Sequence, residues 1–132
     1  MKIENIFPSD TTIRGAYTPC KRIDMGDFYT IYVSGVEAPQ DENHCVTTDD
    51  VGEQTRLVFE EVEKRLNLAG ATLDHVVKAV IYLTNMDDFD VVSPIRAEYF
   101  KNSMPVSTLV EVSRLTRTGA KIEVEVTALV NK

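Results

Sequence analysis

Glu111, Glu123 and Glu125 are the residues of this sequence whose spacing could bring several carboxylates together. In an extended chain alternate residues point to the same side. Ser107, Leu109, Glu111 and Ser113 then point one way, and Thr108, Val110 and Val112 the other. Further on, Ile122, Val124, Val126 and Ala128 form an apolar side, with Lys121, Glu123, Glu125 and Thr127 opposite. The pattern predicts the three glutamates on one sheet face. Such a face is either solvated or buried against other subunits, and a lone carboxylate on it is usually a plain surface group. Tyr17 reads equally as a strand aromatic packed on a neighbour, and Ser34-Gly35 as the end of a strand.

Thiols and imidazoles point to less. Cys20 and Cys45 lie in no CxxC or His-spaced arrangement, which predicts free thiols. His44 adjoins Cys45, but no third or fourth ligand follows at metal-site spacing, and His75 is isolated, so no metal site is expected. The net charge of −7 and a pI near 4.8 disfavour a phosphate backbone as partner, because the cations are scattered and Lys21-Arg22 is their longest cluster. No apolar run reaches the roughly 20 residues of a membrane span, and Met1-Lys2-Ile3-Glu4-Asn5 lacks a secretory apolar stretch, so a cytoplasmic location away from membranes is expected. A length of 132 residues fits one domain over the whole chain.

The elements that must position these residues follow from periodicity. Residues 12–17 and 28–34 are rich in Thr, Ile, Tyr and Val and read as strands, with Met25-Gly26-Asp27 as a turn before the second. Residues 35–47 read as a loop. Val51, Thr55, Val58, Phe59, Val62 and Leu66 recur at three and four, which predicts a helix over 50–69. Thr47 with Asp50, or Asp50 with Glu53, could cap its start, and Gly70 follows its end. The apolar run in 75–84 predicts a central strand covered on both faces. Residues 85–88 read as a turn, Ser93-Pro94 as the start of a second helix to about 101, and 107–113 and 121–130 as closing strands.

Pro105-Val106-Ser107-Thr108-Leu109-Val110-Glu111-Val112-Ser113-Arg114-Leu115, followed by Lys121-Ile122-Glu123-Val124-Glu125-Val126-Thr127-Ala128, resembles the C-terminal signature of the Rid (reactive intermediate deaminase) family. Gly15-Ala16-Tyr17 is similar to that family's Gly-Pro-Tyr, and Tyr32-Val33-Ser34-Gly35 to its strand ending in Ser-Gly. Ala69-Gly70 with Val76-Val77-Lys78, and Asp87-Asp88-Phe89 with Tyr99-Phe100, agree as well, so the resemblance spans nearly the whole chain. It implies a chorismate-mutase-like α+β fold, a mixed six-stranded sheet with two helices on one face. It also implies a homotrimer with pockets in the clefts between subunits, where reactive enamines and imines are hydrolysed to 2-keto acids and ammonia without a cofactor.

By motif position the resemblance makes Glu123 the glutamate that orients water, Tyr17 a pocket tyrosine, and Ser34 and Gly35 the pocket edge, with Ser107, Thr108 and Leu109 on the strand of the pocket wall. The family's carboxylate clamp is an arginine two residues after the proline of the penultimate strand, and here that position is Ser107. A hydroxyl offers one donor and no charge, so it does not replace a guanidinium. Arg14, just before the Gly-Ala-Tyr segment, is the first candidate to supply the cation, with Arg96 and Arg117 behind it. Two functions compete. One is an imine or enamine deaminase acting on a small metabolite other than 2-iminobutanoate or 2-aminoacrylate, an aminomuconate-like ring-cleavage product being one analogy. The other is a non-catalytic trimer that binds a metabolite as sensor, carrier or regulatory partner. Endoribonuclease activity ranks last, for the matched positions hold no His or Lys constellation.

Overall fold

The three-and-four spacing of apolar residues builds helix α1 (Val51–Leu68), which buries Val58, Phe59, Val62 and Leu66 along one stripe. Asp50 caps its start by accepting the amide of Glu53 at 2.9 Å, the second of the two cap pairs read from the sequence. Past the last turn Gly70 takes φ +87°, the left-handed conformation that favours glycine there.

In a computed structural model of the protein, which describes residues 1–9 and 15–132, α1 lies on a single six-stranded sheet. Its strands are β1 (Ile3–Ile6), β2 (Cys20–Asp24), β3 (Phe28–Glu37), β4 (Val76–Leu83), β5 (Val106–Glu111) and β6 (Ile122–Asn131), in the order β1-β2-β3-β6-β4-β5. The β4–β5 pair is parallel and every other pair antiparallel. Helix α2 (Phe89–Phe100) packs on α1, with Tyr99 stacked on Phe59 at 4.8 Å between centroids and Phe100 edge-on at 5.1 Å. The mixed sheet with two helices is the fold class expected from sequence.

Several boundaries differ from the expectation. The predicted strand at 12–17 falls partly outside the described residues, and its described part, 15–17, is not a strand. Gly15 takes φ +112° there, and the meander is made by β1, β2 and β3 instead. Helix α2 starts at Phe89, not at Ser93. Pro94 sits in its second turn, where it forfeits only the bond to the carbonyl of residue 90. Strand β4 is paired on both edges, yet only one of its faces is buried; Val77 and Lys78 are exposed and Val80 and Tyr82 half-buried.

Polar ties also hold the layers. Gln54, fully buried in α1, donates to Thr48 O at 2.8 Å and Gly119 O at 3.1 Å and accepts from Lys121 N at 2.9 Å, fastening the loop before β6 to the helix. Among the described residues no helix is long and apolar enough to cross a membrane. Gln54→Leu keeps the volume but orphans these three backbone groups, and is expected to cost about 1–3 kcal/mol. Urea unfolding checks it: an unchanged midpoint would mean that the loop before β6 does not depend on this tie.

Candidate functional site

Strand β3 does not run straight against β6. Val33 pairs with Val126 and Val36 with Val124, so Ser34 and Gly35 stand together opposite Glu125. This β-bulge shifts the parity of β3, so that Val33 and Val36 both face the helices. The next residue, Glu37, then pairs with Glu123 on the uncovered face. Gly35 is needed for space: a Cβ there would lie 2.7 Å from Glu123 Cδ and 2.8 Å from its Oε2.

A cleft of about 1130 Å³ opens at the bulge, bounded by Tyr17, Ser34, Gly35, Glu37, Glu123 and residues 114–120. Glu37 fastens that last segment to β3. Its Oε2 accepts from the Thr116 hydroxyl at 2.6 Å and its Oε1 from the Arg117 amide at 3.1 Å. In return Arg117 Nη1 donates to Ala38 O at 2.7 Å and Glu37 O at 3.3 Å. Burial raises the Glu123 carboxyl above its ordinary range, and the charges of Glu37 and then Glu125 raise it further against an opposing pull from Arg117. Beside it Tyr82, in register with Glu123 on β4, donates its hydroxyl to Glu125. That bond, with burial second, pushes the Tyr82 phenol up to about 12.

Of the residues singled out from sequence, Tyr17, Ser34, Gly35 and Glu123 meet in this cleft. Ser107, Thr108 and Leu109 do not line it. They lie on β5, at the sheet edge, with Ser107 beside Ala79, Thr108 beside Val80, and Leu109 beside Ile81 and packed against the core. Glu111 is a correction. It pairs with Leu83, which pairs with the buried Ile122, so it belongs to the helix-covered face and not to that of Glu123 and Glu125, and its Oε1 accepts the Met86 amide at 2.8 Å. The alternation within β5 was sound. What sequence lacked was the register that relates β5 to β6 through β4.

Arg14 lies outside the described residues. Arg96 sits over the Phe89 ring at 6.0 Å and is not in the cleft, whereas Arg117 and Arg114 both line it. Sequence reasoning left out Glu37, because it ended the strand at residue 34; an apolar Val36 just beyond a Ser-Gly was the signal of a bulge. Elsewhere, His75 Nδ1 accepts the Thr72 amide at 3.0 Å in a capping box, a structural duty. Cys20 is buried, and burial pushes its thiol up to about 11. Among the described residues no three His, Cys, Asp or Glu side chains are grouped to hold a metal ion.

This sheet, with a Ser-Gly bulge set against a glutamate of the last strand, defines a class. Residues 12–130 match the model of the family described as Endoribonuclease L-PSP. A RutC family protein of Pyrococcus abyssi is 38% identical over 106 residues, covering 80% of this chain and 81% of the relative. The human 2-iminobutanoate/2-iminopropanoate deaminase is 28% identical over 115 residues, 87% of this chain and 80% of that protein. A crystal structure of a Rid family protein from Yersinia pestis superposes with a TM-score of 0.82 at 31% identity, covering 96% of this chain and 98% of that one. The chain belongs to the Endoribonuclease L-PSP family, the Rid family that its sequence resembles.

A raised carboxyl has a stability consequence with a definite sign. Because the folded Glu123 holds its proton to higher pH than the unfolded chain does, its contribution is fully present in acid and is lost as pH rises through the folded value. Glu123→Gln is therefore expected to be more stable than the native chain at pH 7, with the difference vanishing below the ordinary carboxylate range. Thermal melts across pH check this, and a variant less stable at pH 7 than at pH 3, relative to native, would contradict it.

Proposed function

We propose that the protein is an imine or enamine hydrolase of the deaminase type, acting on a small reactive metabolite. The observation that carries this reading is Glu123, a half-buried carboxyl held at an open cleft with its pKa displaced toward neutrality. An imine carbon is already electrophilic, so its hydrolysis needs a placed water and proton transfer, both within reach of a carboxyl. Tyr17 and the Ser34 hydroxyl stand in the same cleft to orient substrate, and the human relative named as a 2-iminobutanoate/2-iminopropanoate deaminase supports the reaction class. No His or Lys lines the cleft among the described residues, which speaks against phosphodiester cleavage.

The substrate is the finer part of the proposal. Ser107 stands where the family pattern has its carboxylate-binding arginine, so simple 2-imino acids are poor candidates. We also infer a homotrimer. The sheet face away from the helices leaves Tyr32, Val110 and Leu129 exposed at 47%, 38% and 41%, an apolar surface suited to second copies. In such an assembly Ser107 and Thr108, exposed at the sheet edge, would complete a neighbour's cleft.

Ammonia release from 2-iminobutanoate and 2-aminoacrylate, generated in place by a dehydratase, tests the reading. Native protein should exceed the spontaneous rate on some imine substrate, and Glu123→Gln should lose on the order of 10²- to 10⁴-fold. Ser107→Arg should gain activity on the carboxylate-bearing imines. Silence from both native protein and Ser107→Arg, together with thermal stabilisation by a small metabolite, would instead favour the non-catalytic binding trimer.

A further inference from the structure

Glu37 is absent from the resemblance and unclaimed by the function proposed above, yet it is the nearest charged neighbour that the register supplies to Glu123. We propose that Glu37 and Glu123 work as one acid–base pair holding a single proton between them, Glu37 being the second catalytic carboxyl of the cleft.

Four features of the fold converge on this. The bulge at Ser34-Gly35 reverses the parity of β3, which turns Glu37 out of the core and onto the face of Glu123. Gly35 leaves room for the Glu123 carboxyl to lie against the β3 backbone. The Thr116 hydroxyl and the Arg117 amide donate to Glu37 and hold it beside Glu123, whose carboxyl is raised by burial and by its acidic neighbours, so the shared proton is assigned to Glu123. A carboxylate has about four acceptor positions, so these two bonds leave Glu37 able to take a further proton. The other groups facing the pair are Glu125 on β6, whose oxygen is taken by the Tyr82 hydroxyl from β4, Tyr17, Arg65 of α1, which is paired with Glu61, and Arg114 and Arg117 of the closing loop. Only the arginines oppose the negative charge, and Arg117 spends Nη1 on the carbonyls of Glu37 and Ala38.

Imine hydrolysis asks for both halves of such a pair. As water oxygen bonds to the C=N carbon, the π electrons move to nitrogen, which takes the proton of Glu123, while the proton lost by water passes to Glu37. The carbinolamine then collapses: its hydroxyl proton leaves to Glu123, the C–N bond breaks with its electrons on nitrogen, and nitrogen takes the proton from Glu37 to depart as ammonia. The pair returns to its starting state and no redox partner is needed. With one carboxyl a single group must give and take every proton in turn; with two the transfers run in parallel.

The kinetic arm of the test rests on the hydrolase reading, and the titration arm does not. Carbon-13 carboxyl NMR of the full chain should find the Glu123 midpoint above the ordinary glutamate range and find it lowered in Glu37→Gln, with a smaller fall in Glu37→Asp, which keeps the charge on a shorter arm. Glu125→Gln should lower it less than Glu37→Gln does. An unmoved midpoint in both Glu37 variants, or a larger effect from Glu125→Gln, overturns the pair. If Glu37→Gln fails to fold, Glu37→Asp against Glu125→Gln still decides. On an imine substrate the native pH profile of kcat/KM should be bell-shaped, and Glu37→Gln should remove its acid limb with on the order of 10²-fold loss at the optimum. An unaltered profile would count against the pair, whereas an inactive native protein would sink the hydrolase reading and leave the titration to stand alone.

Discussion

Two residues of β3 set against one of β6 determine what the rest of this molecule can do. Without the bulge at Ser34-Gly35, strict alternation from Ile31 and Val33 would send Gly35 and Glu37 into the core and Val36 out to solvent. A carboxylate buried without a partner costs several kcal/mol, so a straight β3 would have to end before Glu37. The bulge removes that conflict. It keeps the apolar face continuous under α1, delivers Glu37 to the open face, and leaves room at Gly35 for the Glu123 carboxyl against the backbone. The closing loop is then tied to the bulged strand through Glu37 and to α1 through Gln54, so one irregularity links core, cleft and helix.

What was legible in the sequence was what repeats. The stripe of α1 and the alternation of β6 are both set by burial, and both lie within a residue or two of the expected bounds. Glu123, Tyr17, Ser34 and Gly35 were found through the family resemblance, and they share a cleft. Glu37 was invisible because a bulge breaks the period on which strand reading depends. Glu111 was misplaced for a related reason: alternation gives relative facing within a strand, while facing between strands needs the register, here set by the parallel pairing of β5 with β4. The early start of α2 escaped because Pro94, usually a first-turn residue, sits one turn further in.

The open sheet face shows the same economy. Glu123, Glu125 and Tyr82 stand half-covered among Val80 and Thr127, a setting in which unpaired charge would be unfavourable. Tyr82 supplies Glu125 with a donor, and burial raises the Glu123 carboxyl, which favours its protonated form. The buried Arg65 of α1 lines the same cleft, with its charge paired to Glu61 at 3.0 Å. Any second copy laid over the face would dry it further and strengthen both arrangements, because the same hydrogen bonds act in a lower dielectric.

Ser107 and Glu37 both bear on the proton of Glu123 under the proposed hydrolase reading. A cation facing a cleft glutamate favours its ionised form, and a neighbouring carboxylate favours the protonated one. Ser107 brings no charge, and the Glu123 carboxyl is raised by burial and then by Glu37, across from it in the β3–β6 register. A protonated carboxyl is a hydrogen-bond donor and a general acid, suited to an imine nitrogen, whereas an ionised one serves best to orient water. Under that reading a substrate carboxylate in the cleft would be met by Arg65, Arg114 or Arg117, all of which line it. On the proposed hydrolase reading, selectivity and proton inventory would then be set by the same few charges of this cleft.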